Sequence, residues 1–221
     1  MKTIKKVLVI GATGGSGRST VKALVKSGYQ VTAMSRQASL EFKRPVLTID
    51  GSVLDSVTLK SAIEGQDAVI VTLGISENPF RVRLKGPQHP PMNIRSAGTR
   101  NIIELMKEHK INRLIVQTSY GSGPSKDLLR LRDKLLFNLL LKPQIADTDT
   151  QDRYVRESGL NWTIVQPVHL SSEPKANNKL FASPELVVSK WSISRELVGE
   201  FNATSLFDSS TYNQTMALSS I

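Results

Sequence analysis

The sequence predicts an α/β chain in which a doubly wound parallel sheet fills a single domain over residues 1–221. Three observations predict it. Short β-branched runs alternate with helical stretches along the whole chain, the first run passes directly into a glycine-rich turn, and both long Pro-rich connections follow a strand. The elements read in order as a strand at 7–10 (VLVI), a helix near 17–27 and a strand at 30–34 (QVTAM). A strand at 46–49 (VLTI), a helix near 55–63 and a strand at 68–73 (AVIVTL) repeat the unit. Next come a helix near 94–108, a strand at 113–119 (RLIVQTS), helical stretches near 127–141 and 146–158, and a strand at 162–167 (WTIVQP). A helix near 194–205 and a strand near 213–218 close the domain. Leu128, Leu131, Leu135 and Leu139 recur at helical spacing, as expected for a core face or a lid. The connections at 74–93, 119–126 and 167–190 then fall at one sheet edge and should rim a cleft.

Composition narrows the function classes. The 221 residues carry 29 Lys plus Arg against 19 Asp plus Glu, a net charge of +10, with 39% hydrophobic residues, so a packed core is expected. Zero Cys removes disulfides, thiolate metal sites and cysteine nucleophiles. The three histidines, His89, His109 and His169, are too scattered to suggest a metal-ligand cluster, so no metal is expected. The apolar run at the start ends at Gly11, too early for a signal core, and nothing approaches the ~18 apolar residues of a membrane span. A cytoplasmic protein is expected, a monomer or weak homo-oligomer with no membrane partner. Aromatics are only 5% of the chain, which argues against a nucleic-acid partner and leaves small anionic ligands for the basic excess.

The turn Gly11-Ala12-Thr13-Gly14-Gly15-Ser16-Gly17 carries the first chemical signal. Between a strand and a helix, glycines let the backbone turn tightly and approach a pyrophosphate, and the helix N-terminus offers N–H groups and positive dipole. The spacing G-x-x-G-x-x-G resembles that of extended and atypical short-chain dehydrogenases/reductases, which implies a Rossmann-like dinucleotide site. The second strand ends in Met34-Ser35-Arg36, where an acid would select NAD; Arg36 instead suits the 2′-phosphate of NADP (NADPH). Gly51-Ser52-Val53-Leu54 resembles the superfamily's adenine-holding Gly-Asp-Val-Leu, with Ser52 in place of the Asp and Asp50 available to compensate. The same resemblance places Thr72, Leu73 and Gly74 along the cofactor's ribose.

Most members of that superfamily reduce carbonyls with a Tyr-x-x-x-Lys pair. None of the four tyrosines here has Lys four residues on, so ordinary ketone chemistry is disfavoured. An acceptor that spreads the added electron pair over a conjugated system needs no such acid. The motifs Ala97-Gly98-Thr99-Arg100-Asn101, Gln117-Thr118-Ser119, Arg156-Glu157-Ser158-Gly159-Leu160 and Pro167-Val168-His169-Leu170 resemble the NADPH-dependent flavin reductase/biliverdin-IXβ reductase family over almost the whole chain. That resemblance implies cofactor contacts at Thr118 and Pro167, with Ser119 and His169 beside nicotinamide and substrate as catalytic residues. A conjugated small molecule, a flavin or linear tetrapyrrole, is the implied partner. Ser119 also ends a parallel strand at the carboxyl edge, where open α/β sheets bind ligands. Tyr120 is a candidate pocket-lining residue, and Arg81, Arg83, Lys85 and His89 form a basic segment suited to an anionic acceptor. An NmrA-like regulator that binds NADP without turnover shares the glycine turn and the missing pair, and stands as the alternative.

Overall fold

The computed structural model describes residues 4–74, 93–129, 142–173 and 178–221. The basic segment, most of the 74–93 connection and the leucine-spaced stretch from 130 onward lie outside the described residues. The central sheet takes β1 (Lys6–Ile10), β2 (Gln30–Ser35), β3 (Leu47–Asp50), β4 (Ala68–Val71), β5 (Arg113–Gln117), β6 (Asn161–Pro167), β8 (Leu180–Ser183) and β10 (Gln214–Ser220). Its spatial order is β3-β2-β1-β4-β5-β6-β10-β8, parallel throughout except for β8, which runs antiparallel to β10. The order reverses between β1 and β4, which leaves a crevice at the carboxyl ends of those strands. A separate parallel pair, β7 (His169–Ser171) and β9 (Ser192–Ser194), sits after β6 and was not visible in the sequence pattern.

Strand side chains alternate between two helical layers, as a period of two requires. Val7 and Val9 face one core with Ile70, Ile115 and Val165, under α1 (Gly15–Lys26) and α6 (Arg195–Thr204). Leu8 and Ile10 face the other with Val69, Val71, Leu114 and Ile164, under α3 (Ser56–Ile63), α4 (Ile94–Glu108) and α5 (Lys142–Arg156). A one-turn helix, α2 (Ala38–Glu41), follows β2. Helix starts obey capping chemistry: Asp55 accepts from the N–H groups of Val57 and Thr58 at α3, and Ser194 accepts from Leu197 at α6. At α4 the cap comes from another helix, since the Asp147 carboxylate accepts from the N–H groups of Arg95 and Ser96, both at 3.1 Å.

Two devices fix the layers. At Gly199 an added Cβ would stand 2.5 Å from the Ser19 carbonyl, so glycine is what allows α6 to lie directly on α1. Arg113, buried at the start of β5, donates to the Asn161 carbonyl and the Thr163 hydroxyl, both at 2.9 Å, and to the Ser205 carbonyl. Its guanidinium also lies over the Tyr212 ring. Desolvation pulls its pKa down to about 10, which still leaves it charged at neutral pH.

Candidate functional site

A cleft of about 600 Å³ opens at the carboxyl edge over the β1/β4 reversal. Its floor is the glycine turn. Gly11 has φ +78°, and a Cβ there would meet the Thr72 carbonyl oxygen at 2.7 Å. Only glycine satisfies both the left-handed backbone and that close approach. Gly14 caps α1 without a side-chain bond, and no acid stands in the first turn, so the helix presents N–H groups and positive dipole to the cleft. A Cβ on Gly17 would stand 2.3 Å from the Gly11 carbonyl oxygen, so Gly17 serves by packing α1 onto the turn and does not itself line the cleft. These are the features a dinucleotide pyrophosphate requires, and the residues present fit it.

Most of the residues singled out in the sequence converge here. Gly11, Thr13, Gly14, Gly15 and Ser16 line the cleft from the turn. Ser35 and Arg36 line it from the end of β2, and Ser52 and Val53 from the end of β3. Thr72, Leu73 and Gly74 contribute from β4, and Thr118 and Ser119 from β5. Arg36 is exposed at the mouth. The Thr72 hydroxyl donates to the Ile10 carbonyl at 3.0 Å, which stitches β4 to β1 at the crossing. Val53 is pinned by α4: its carbonyl accepts from the Asn101 amide at 3.1 Å, and Gly98 leaves room for its side chain.

Besides Gly17, four expected residues stand elsewhere. Asp50 does not line the cleft; its carboxylate accepts from the Ser39 backbone N–H at 2.9 Å and from the Ser39 hydroxyl. Those bonds hold it below the ordinary carboxylate range and occupy it in the β2–β3 connection, so it does not compensate for Ser52. Pro167 is buried in β6, its carbonyl accepting from Tyr120 N–H, and lies outside the cleft lining. His169 is exposed in β7 and absent from the lining, whereas its neighbour Leu170 is part of it. Alternation along a strand sends adjacent side chains to opposite faces, so His169 points away. Tyr120 is also no pocket residue: its hydroxyl donates to the Leu186 carbonyl at 3.0 Å, its ring packs edge-on to Trp191, and burial raises its pKa.

Sequence reasoning missed three cleft arginines. Arg18 in α1 forms a forked pair with Glu41, at 2.8 and 2.9 Å, and ties α1 to α2. Arg195, the first residue of α6, lays its side chain over Gly15, where a Cβ would meet its Nε at 2.6 Å, and donates to the Ser172 hydroxyl at 2.8 Å. Arg95 enters from α4. Gln117 also lines the cleft and donates to the Ser16 hydroxyl at 3.1 Å, joining β5 to α1. Arg95 and Arg195 had no local signal, because tertiary packing alone brings them to the cleft.

Behind the Gln117-Thr118-Ser119 edge lies a buried polar cluster. Asp152 of α5 accepts from the Gln166 amide at 3.1 Å, and the single Ser122 hydroxyl proton can go either to Asp152 at 3.4 Å or to the Ser119 carbonyl at 2.9 Å. Desolvation raises the Asp152 pKa to about 6, against the opposing pull of Arg156. The Asp152 Oδ1 atom and the Thr118 hydroxyl are both buried outside good hydrogen-bond geometry.

Known proteins agree with this geometry. A family model for NAD(P)H-binding proteins matches residues 11–209. An uncharacterized chloroplastic protein of Arabidopsis thaliana is 28% identical over 203 residues, covering 89% of this chain and 70% of its own. A short-chain dehydrogenase/reductase from Veillonella parvula in complex with NADP superposes with a TM-score of 0.77 at 19% identity, covering 98% of this chain and 94% of that one. ChuY, an anaerobillin reductase from Escherichia coli O157:H7, gives 0.75 at 18%, covering 97% and 96%. The chain is thus a member of the NAD(P)H-binding family, built on the Rossmann-like fold of atypical short-chain dehydrogenases/reductases.

Proposed function

We propose that the protein is an NADPH-dependent reductase that passes hydride to a conjugated acceptor, a flavin or a linear tetrapyrrole. One observation carries this reading: the cleft has the form of a dinucleotide site, yet none of the four tyrosines lines it. Tyr29 stacks on Phe207, Tyr120 and Tyr212 donate to main-chain carbonyls, and Tyr154 packs half-buried against the core beneath α5, with Arg153 over its ring. Among the described residues no tyrosine therefore offers a tuned acid at the β4–β5 end, and an acceptor that delocalises the incoming electron pair is the chemistry left open.

Arg36 suits the 2′-phosphate, and the N-terminus of α1 together with Arg195 suits the pyrophosphate. Ser52 and Val53 flank the adenine side, Thr72 to Gly74 the ribose, and Gln117 to Ser119 the nicotinamide. NADPH supplies a hydride, the acceptor takes both electrons, and solvent supplies the balancing proton. Ser119, exposed at the end of β5, orients the reacting groups. The test is loss of reduced-nicotinamide absorbance across flavins, tetrapyrroles, quinones and simple ketones, beside a direct NADPH titration. Turnover with conjugated acceptors alone is expected. Robust ketone reduction, or tight NADPH binding with silence toward every acceptor, would overturn the reading, the latter in favour of a regulator that binds NADP without turnover.

A further inference from the structure

The cleft lining holds four arginines and, among the described residues, no carboxylate. Arg18 is paired with Glu41, Arg36 follows β2, and Arg195 crosses Gly15, so these three serve the nucleotide half. Arg95 is placed differently. It follows β4 in the first turn of α4 and reaches α5, on the opposite side of β1 from β2 and Arg36. A dinucleotide laid across the reversal would bring its reactive end, and the acceptor, to that side.

The Arg95 guanidinium is held, but it forms no ion pair among the described residues. Its Nη1 donates to the Gln144 carbonyl and the Thr148 hydroxyl, one helical turn apart on α5, both at 3.3 Å. Among the described residues the carboxylate whose charge acts on it, Asp147, is engaged by the backbone: its two oxygens accept from the N–H groups of Arg95 and Ser96. A guanidinium carries five N–H donors in a planar fork, and two long bonds to neutral acceptors through one nitrogen leave the rest for an incoming anion. Partial burial lowers its pKa below the ordinary arginine value, Asp147 opposing, which marks a charge that lacks full solvation. Such a group gains most from a bound anion.

We propose that Arg95 is the acceptor's anion receptor, pairing with a carboxylate or phosphate on the substrate, so that the preferred acceptors are anionic. This rests on the reductase reading above, which leaves the acceptor's charge open. A flavin mononucleotide would offer a phosphate and a linear tetrapyrrole its carboxylates, and the same cation recognises either. Charge-matched pairs separate the two sources: FMN against riboflavin, and biliverdin against its dimethyl ester.

The experiment titrates each probe into protein saturated with NADP by fluorescence, with steady-state turnover measured alongside. In at least one pair the anionic member should bind about tenfold or more tightly than its neutral partner, as one charge-assisted contact implies. The gap should shrink as salt rises. Arg95→Gln should close that gap while NADPH affinity and riboflavin binding stay at parental values. Arg95→Lys, which keeps the charge without the fork, should restore part of it, and its thermal midpoint controls for folding. Because binding is read without turnover, a failed reductase reading leaves this result interpretable. Equal affinity within both pairs, no binding by any probe, or an Arg95→Gln variant that loses NADPH as severely as the acceptor, would overturn the proposal.

Discussion

Replacing Asp152 with Asn should stabilise the protein at neutral pH and leave it nearly unchanged in acid. The carboxyl is 2% exposed and its bonds come from a neutral amide and a neutral hydroxyl. Arg156, whose charge would favour ionisation, donates instead to the Thr215 hydroxyl at 2.8 Å and packs on Trp162. Burial therefore raises the folded-state pKa from 3.8 to about 6. Below the unfolded value the group is protonated in both states and costs nothing. As pH rises from there to about 6 the unfolded chain releases its proton while the folded chain retains it, so stability falls across that window. Each pKa unit is worth about 1.4 kcal/mol, so the difference between 3.8 and about 6 amounts to ~3 kcal/mol, fully expressed above the folded value. An Asn carboxamide keeps the Gln166 bond, cannot ionise, and points a donor at the Thr118 hydroxyl. Urea unfolding of both proteins from pH 4 to pH 8 measures the difference. It should grow with pH by ~3 kcal/mol at most; a flat difference, or one that grows toward acid, would refute the assignment of Asp152 as a buried carboxyl that resists ionisation.

Gly17→Ala should destabilise the fold by about 3 kcal/mol and abolish NADPH binding, because the new Cβ meets the main chain of the turn, which cannot yield cheaply; denaturant midpoints and titration check both. Arg36→Ala should weaken NADPH about tenfold or more and leave NADH nearly untouched, from a lost charge-assisted contact of about 1.5–3 kcal/mol. Calorimetry decides that, and equal losses for both cofactors would remove Arg36 from the 2′-phosphate. Ser119→Ala should lower kcat while NADPH affinity holds, whereas His169→Ala, pointing away from the cleft, should leave both within about twofold. A large loss in the His169 variant would return that residue to the site.

The glycine-turn side of the cleft was legible because its signals are local. Gly11, Gly14 and Gly17 announce the turn by spacing alone, Arg36 is fixed by following β2, and α4 falls at the predicted 94–108. Arg195 and Arg95 reach the cleft through pairings that sequence distance hides. Arg195 reaches Gly15 only because Gly199 lets α6 lie on α1, and Arg95 is anchored by residues of a helix some fifty positions later. The misplacement of His169 has a similar cause: β7 pairs with β9 in a second sheet, with His169 opposite Ser192, and that register turns Leu170 into the cleft. Asp50 looked free because nothing in the sequence shows that Ser39 folds back onto it.

The most direct test of hydride transfer uses NADPH carrying deuterium at the reactive C4 position, with acceptors reduced at carbon, biliverdin and a deazaflavin, so that the label cannot wash out into water. Mass spectrometry of the reduced product under anaerobic conditions reads the outcome. Hydride transfer to a conjugated acceptor predicts one deuterium in the product for each labelled NADPH oxidised. Tight NADPH binding with no deuterium delivered to either acceptor would contradict it.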